Sequence, residues 1–261
     1  MAAVFLFVFG LVIGSFLNVL AFRYDPDQPF FGLKRWGGRS HCLFCSQQLK
    51  WYELIPILSF IIQEGRCLVC RKKLFWQYPL VELASGLTFF LPYYFYNSAN
   101  EASYFITAFW ILIFLIFILI WAIDARISVI PDELNFFLGL LGVALLDMTN
   151  ASRVIWLNHF WAALAGALFF GAIIYFSEGR AMGGGDLKMA VALGLIFGWP
   201  NLVYILAVAF VVGAFWGLTL MGLNKKNSKD AVPFGPFLIL GSLVIFFFGD
   251  VLISAYWRLL I

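Results

Sequence analysis

The sequence predicts an all-α polytopic membrane protein, with about eight transmembrane helices and one small extramembrane module between the first and the second. Composition is the first reason: 63% of residues are hydrophobic, 12% are charged and the mean hydropathy is +0.94. A soluble domain carries about a quarter charged residues. The second reason is length, because apolar runs recur at the roughly 20 residues a helix needs to cross a bilayer. The third is segregation, since all four cysteines and nine of the 17 basic residues fall between positions 23 and 78.

The chain divides into a first transmembrane helix (1–22), an extramembrane module (23–78) and a membrane domain of about seven spans (79–261). Residues 1–22 have no basic segment before them and no small-x-small pattern after them, so a retained span is expected rather than a removed signal peptide. Gly14, Ser15 and Asn18 read as a close helix-packing face with a satisfied asparagine. Further spans are expected near 79–97, 104–123, 131–148, 154–177, 187–199, 202–222 and 235–257. The 187–199 stretch is short enough for a partial or re-entrant helix.

Basic residues set the orientation. With the module inside, the connections near 124–130, 178–186 and 223–234 also fall inside, and only Arg153 and Arg258 of the 17 basic residues lie outside. That is the bias of cytoplasmic loops. A multi-pass membrane protein follows, with its N-terminus outside and the module on the cytoplasmic side. Lipid is its solvent, and no nucleic-acid partner is expected.

The cysteines form two pairs, Cys42-Leu-Phe-Cys45 and Cys67-Leu-Val-Cys70, separated by 21 residues. Each pair opens a C-L-x-C-x-x-x-L repeat, ending at Leu49 and Leu74. Four thiolates in two knuckles suit a closed tetrahedral Zn²⁺. Two disulfides or a redox pair are the alternatives, and a reducing cytosol disfavours lasting disulfides. So small a module has little core of its own, so a structural metal would supply much of its folding energy.

Acids in or beside membrane spans are functional candidates by default. Glu82 lies inside the second span, as a substrate contact, a snorkelling carboxylate or half of an ion pair. Asp147 and Asp250 read as interfacial, and Asp132 and Glu133 as first-turn acids behind Pro131. Asp124 ends the apolar run 104–123, at a helix C-terminus where the dipole disfavours negative charge. Asp186 follows Gly183, Gly184 and Gly185 and precedes Lys188. It has a bland reading, the N-cap of the next helix. Three glycines in a row also let a substrate chain approach closely. A phosphate-binding G-x-x-x-x-G-K-[ST] loop is absent. Two carboxylates brought together share a proton, so that one activates water while the other protonates a carbonyl. No Ser/His/Asp arrangement competes, because the two histidines are His41, beside a knuckle, and His159, near the outer face.

One ordered series of motifs runs nearly end to end. It comprises G-S-F-L-N-V (14–19), the two CxxC pairs, W-Y-E-x-I-P-x-L-S (51–59), G-R-C (65–67), Y-P-L-V-E (78–82), I-D-x-x-x-x-x-I-P-D (123–132), G-G-G-D-L-K (183–188) and P-F-G-P-F (233–237). It resembles the type IV prepilin peptidases (prepilin leader peptidase/N-methyltransferases), membrane aspartyl proteases of the GxGD type. The resemblance implies Asp124 and Asp186 as catalytic residues, with Asp132 excluded. It implies removal, after a glycine and at the cytoplasmic face, of the basic leader of type IV prepilins and type II secretion pseudopilins. It also implies N-methylation of the new N-terminus with S-adenosylmethionine, associated with the first helix and the Cys₄ module. Leu54 departs from the asparagine expected there in many members. Glu53, Glu64 and Glu82 are the acids expected to receive the leader's positive charges. Peptidase activity without methylation, a non-enzymatic membrane assembly scaffold and an ion transporter are the competing readings. A transporter places its acids near the midplane, and a scaffold has no need of both aspartates.

Overall fold

The computed structural model describes residues 1–28, 30, 32, 37–95, 101–223 and 232–260. Lys34, Arg35, Lys225, Lys226 and Lys229, which contribute to the charge bias, lie outside the described residues. Among the described residues the regular structure is helical, apart from two single β-bridges, His41 with Gln48 and Arg66 with Lys73.

The helices are α1 (Ala2–Arg23), the short α2 (Leu58–Ile62), α3 (Gln77–Phe95), α4 (Glu101–Ile127), α5 (Asp132–Met148), α6 (Arg153–Ser177), α7 (Gly184–Phe197), α8 (Asn201–Gly222) and α9 (Gly235–Leu260); a 3₁₀ turn covers Trp51–Leu54. Five of them, α1, α4, α6, α8 and α9, contain stretches long and apolar enough to cross a membrane. Of the eight expected spans, α3, α5 and α7 are the shorter ones, at 19, 17 and 14 residues. The chain forms two compact units, Met1–Ile123 and Asp124–Ile261, so the boundary falls inside α4.

The first unit is built on α1 against α3. A Cβ on Gly10 would stand 2.6 Å from the Ser85 carbonyl oxygen, and one on Gly14 would stand 2.7 Å from Glu82 Cα. Two glycines four residues apart therefore admit the partner backbone, the arrangement that joins helices in lipid without a hydrophobic driving force. Asn18, on the same stripe, donates from Nδ2 to the Tyr78 carbonyl at 3.1 Å, as the packing reading expects, while its buried Oδ1 has no partner.

The second unit is organised around α7. This short helix packs against α5 and α6, and more lightly against α8 and α9. Small residues again set the approach. A Cβ on Gly194 would stand 2.5 Å from Ala163 backbone atoms, and one on Gly142 would stand 2.9 Å from Ile196. Met189, Ala190 and Leu193 are fully buried, so most of this helix faces protein.

Candidate active site

Asp124 sits in the last turn of α4. The Ser128 N–H, on a residue with φ of 55°, bonds the Asp124 carbonyl at 2.8 Å and closes that helix. The Asp124 side chain is buried, and its Oδ2 accepts the Gly235 N–H at 3.0 Å. Gly235 opens α9 inside the P-F-G-P-F motif, so the orphan N–H of one helix start is satisfied by the carboxylate ending another.

Asp186 is not the N-cap of α7. That position belongs to Gly183, and Asp186 lies three residues inside, at N3. There its Oδ2 reaches back to accept the Gly183 N–H at 3.3 Å. The helix starts earlier than the glycines suggest because this bond from the Gly183 N–H to the Asp186 carboxylate offsets their low helix propensity. Asp186 is partly exposed, and both acids belong to the second unit.

Ile130 packs between the Asp186 segment and the start of α9. A Cβ on Gly185 would lie 3.1 Å from Ile130 Cβ, and one on Gly235 would lie 3.1 Å from Ile130 Cδ1 and 2.6 Å from Asp124 Oδ2. The absence of side chains at these two glycines thus sets the neighbour of Asp186 and the N–H partner of Asp124 against one isoleucine. Asn135, in the first turns of α5, donates from Nδ2 to the Gly185 carbonyl at 3.1 Å, and its buried Oδ1 has no partner. Lys188 forms an ion pair with Asp132, joining the first turns of α7 and α5. Nothing lies within 4 Å of a Cβ built on Gly184, the first residue of α7. Behind the ion pair a largely apolar groove of about 410 Å³ runs between α5 and α7, past Phe136, Leu140, Val143 and Leu195.

Sequence reasoning did not single out Gly235 as a partner of Asp124, nor Asn135 or Ile130. The motif around Gly235 was visible, as was an asparagine beside an apolar helix, but neither names its contact.

Glu82 belongs to the first unit. It is buried, and its Oε2 accepts the Ile57 N–H at 2.7 Å. The same unit holds the knuckles, where Cys42, Cys45, Cys67 and Cys70 place their sulfurs within 4.8 Å of one another. Their geometry repeats bond for bond. Ser46 and Arg71 both have positive φ and donate their N–H to the carbonyls of Cys42 and Cys67, at 2.9 and 3.0 Å. Cys42 and Cys70 sulfurs stand 3.9 Å apart, against ~3.8 Å for two thiolates on a tetrahedral Zn²⁺. The N–H groups of Cys70 and Val69 lower the Cys67 thiol to about 7, whereas the Cys45 thiol, beside the other three, is raised to about 11. The four residues fit a structural metal ion.

Comparison with known proteins follows the same division. Residues 8–96 match the family model described as the bacterial peptidase A24 N-terminal domain, and residues 110–218 match that of the type IV leader peptidase family. A prepilin leader peptidase/N-methyltransferase of Legionella pneumophila is 31% identical, over 95% of this chain and 92% of that protein. One of Bacillus subtilis is 30% identical over 97% of each chain. No solved structure matches.

Proposed function

The chain belongs to the type IV leader peptidase family, and from that premise we propose that it removes the leader of type IV prepilins or pseudopilins with Asp124 and Asp186 and then methylates the new N-terminus. The observation that carries the peptidase reading is that Ile130 packs on both Gly185, the neighbour of Asp186, and Gly235, whose N–H holds the buried Asp124.

The chemistry needs one proton shared between the two carboxyls. The ionised member takes a proton from water as the water oxygen bonds to the scissile carbonyl carbon, and the protonated member donates to the carbonyl oxygen. Collapse of the tetrahedral species breaks the C–N bond, and the departing nitrogen takes up the proton. The pair titrates as a unit, so neither aspartate is assigned alone as base. Gly183, Gly184 and Gly185 leave room for an extended substrate backbone beside Asp186, and Lys188, tied to Asp132, steadies the start of α7. The charge bias of the loops argues that this face is cytoplasmic and that the bond cut, after a glycine, lies at the inner edge of the bilayer.

Cys42, Cys45, Cys67 and Cys70 are proposed to hold one structural Zn²⁺, which would supply cross-linking within the module and no chemistry. S-adenosylmethionine, the donor implied by the relatives' names, would supply the methyl group.

The deciding experiment is purification of Asp124→Asn and Asp186→Asn, followed by incubation of each with a prepilin. Loss of cleavage by about a hundredfold or more is expected in both, the scale of a missing acid–base group. Wild-type cleavage by either variant ends the assignment.

A further inference from the structure

The first unit contains a cavity of about 250 Å³ that the peptidase reaction does not use. Its walls come from the last turns of α1, the two cysteine knuckles, the 3₁₀ turn and the first turns of α3. Two features give it a chemical identity.

One is an aromatic shelf. Phe22 stacks on Tyr78 with centroids 4.8 Å apart and lies 5.7 Å from Phe75, which in turn stacks on Phe44 at 6.0 Å. All four rings line the cavity; Phe44 and Phe75 remain 43% and 48% exposed, and Lys72 Nζ stands 5.0 Å over the Phe44 ring. The other feature is Glu82, a buried carboxylate that also lines the cavity. It accepts the Ile57 N–H and makes no ion pair among the described residues, while Arg23, on the same cavity wall, donates to the Gly37 and Arg39 carbonyls. Ile57 holds its N–H there from a backbone at φ 60° and ψ −51°, a conformation β-branched residues rarely adopt and one that folds keep chiefly at functional positions. A buried acid without a counter-charge is costly unless a cation joins it.

A flat aromatic ligand and an amine are therefore the two guests this cavity suits. We propose that it is the methyl-transfer chamber: the shelf carries the adenine of the methyl donor, and Glu82 receives the N-terminal amine of the cleaved pilin. The inference rests on the methyltransferase part of the reading above and gives that activity a place. In the transfer, the amine lone pair forms the new N–C bond, the C–S electrons remain on sulfur as a neutral thioether, and the proton lost from nitrogen passes to the Glu82 carboxylate. The apolar remainder of the cavity suits the side chain of a hydrophobic first residue. Cys42 and Cys67 also line this space, so the metal that holds the knuckles also holds one wall.

The test uses the full-length, metal-loaded protein in detergent. Its first measurement is binding of S-adenosylhomocysteine by calorimetry; its second is methylation of a pilin already stripped of its leader. Phe75→Ala and Phe44→Ala, on the open edge of the shelf, should each weaken binding by about 10-fold, the scale of one lost stacking contact on a base. Glu82→Gln should keep that binding, which also shows it is folded, while methylation falls by about 100-fold, the scale of a lost proton acceptor. Unchanged binding in both phenylalanine variants, or wild-type methylation by Glu82→Gln, overturns the chamber. A wild-type protein that does not methylate the stripped pilin overturns the methyltransferase reading itself, and with it this inference.

Discussion

Gly235 carries no side chain, and Asp124 depends on that. Its N–H is the donor that holds the buried carboxylate, and a Cβ at this position would meet Asp124 Oδ2 at 2.6 Å. Gly235→Ala should therefore push the carboxylate out of line and reduce leader cleavage by about 10- to 100-fold, the scale of an ångström's misplacement. Gly217→Ala is the matched control, because nothing lies within 4 Å of its added methyl; cleavage rates of the two purified variants decide the point. Residues of this kind mark where sequence reading ends. Asp124, Asp186 and the four cysteines stand out by type and spacing, since a carboxylate at a span's edge and paired CxxC repeats are unusual on their face. The Gly235 contact crosses 111 positions, and that of Asn135 with Gly185 crosses 50. Neither leaves a local pattern to read.

Among the elements, α7 is the one the others are fitted around. The sequence places its span at 187–199, whereas the helix runs Gly184–Phe197. The glycines read as loop because of their propensity, and the bond from Asp186 back to Gly183 overrides it. At its other end Gly194 lies against the α6 backbone, with Ala163 Cα and N both 2.5 Å from where a Cβ would stand. Backbone cannot yield as a flexible side chain does. Gly194→Val should destabilise the purified protein by about 1–3 kcal/mol or more, seen as a lower thermal midpoint in detergent. Gly139→Ala, which would touch only Leu195 Cδ1 at 3.6 Å, should leave the midpoint near wild type. The other helices follow their apolar runs closely, because a span's length is dictated by the bilayer rather than by distant contacts.

For the molecule as a whole, the all-helical class and the extramembrane cysteine module were legible from composition and segregation alone, because lipid allows a spanning chain so few solutions. The break at Asp124 was not, since a continuous helix shows no change of pattern where its surroundings change. The length of α7 has a consequence at this scale. Its 14 residues rise only ~21 Å, against ~30 Å of hydrocarbon in an ordinary bilayer. On the reading proposed above, which sets Asp186 at the inner edge of the bilayer, so short a strut ends inside the hydrocarbon, and the lipid around it must thin or water must reach its far end. Turnover should then follow acyl-chain length: quicker in vesicles of short-chain phosphatidylcholine than in long-chain ones at equal fluidity. An equal rate in both would show that the protein carries its own aqueous well.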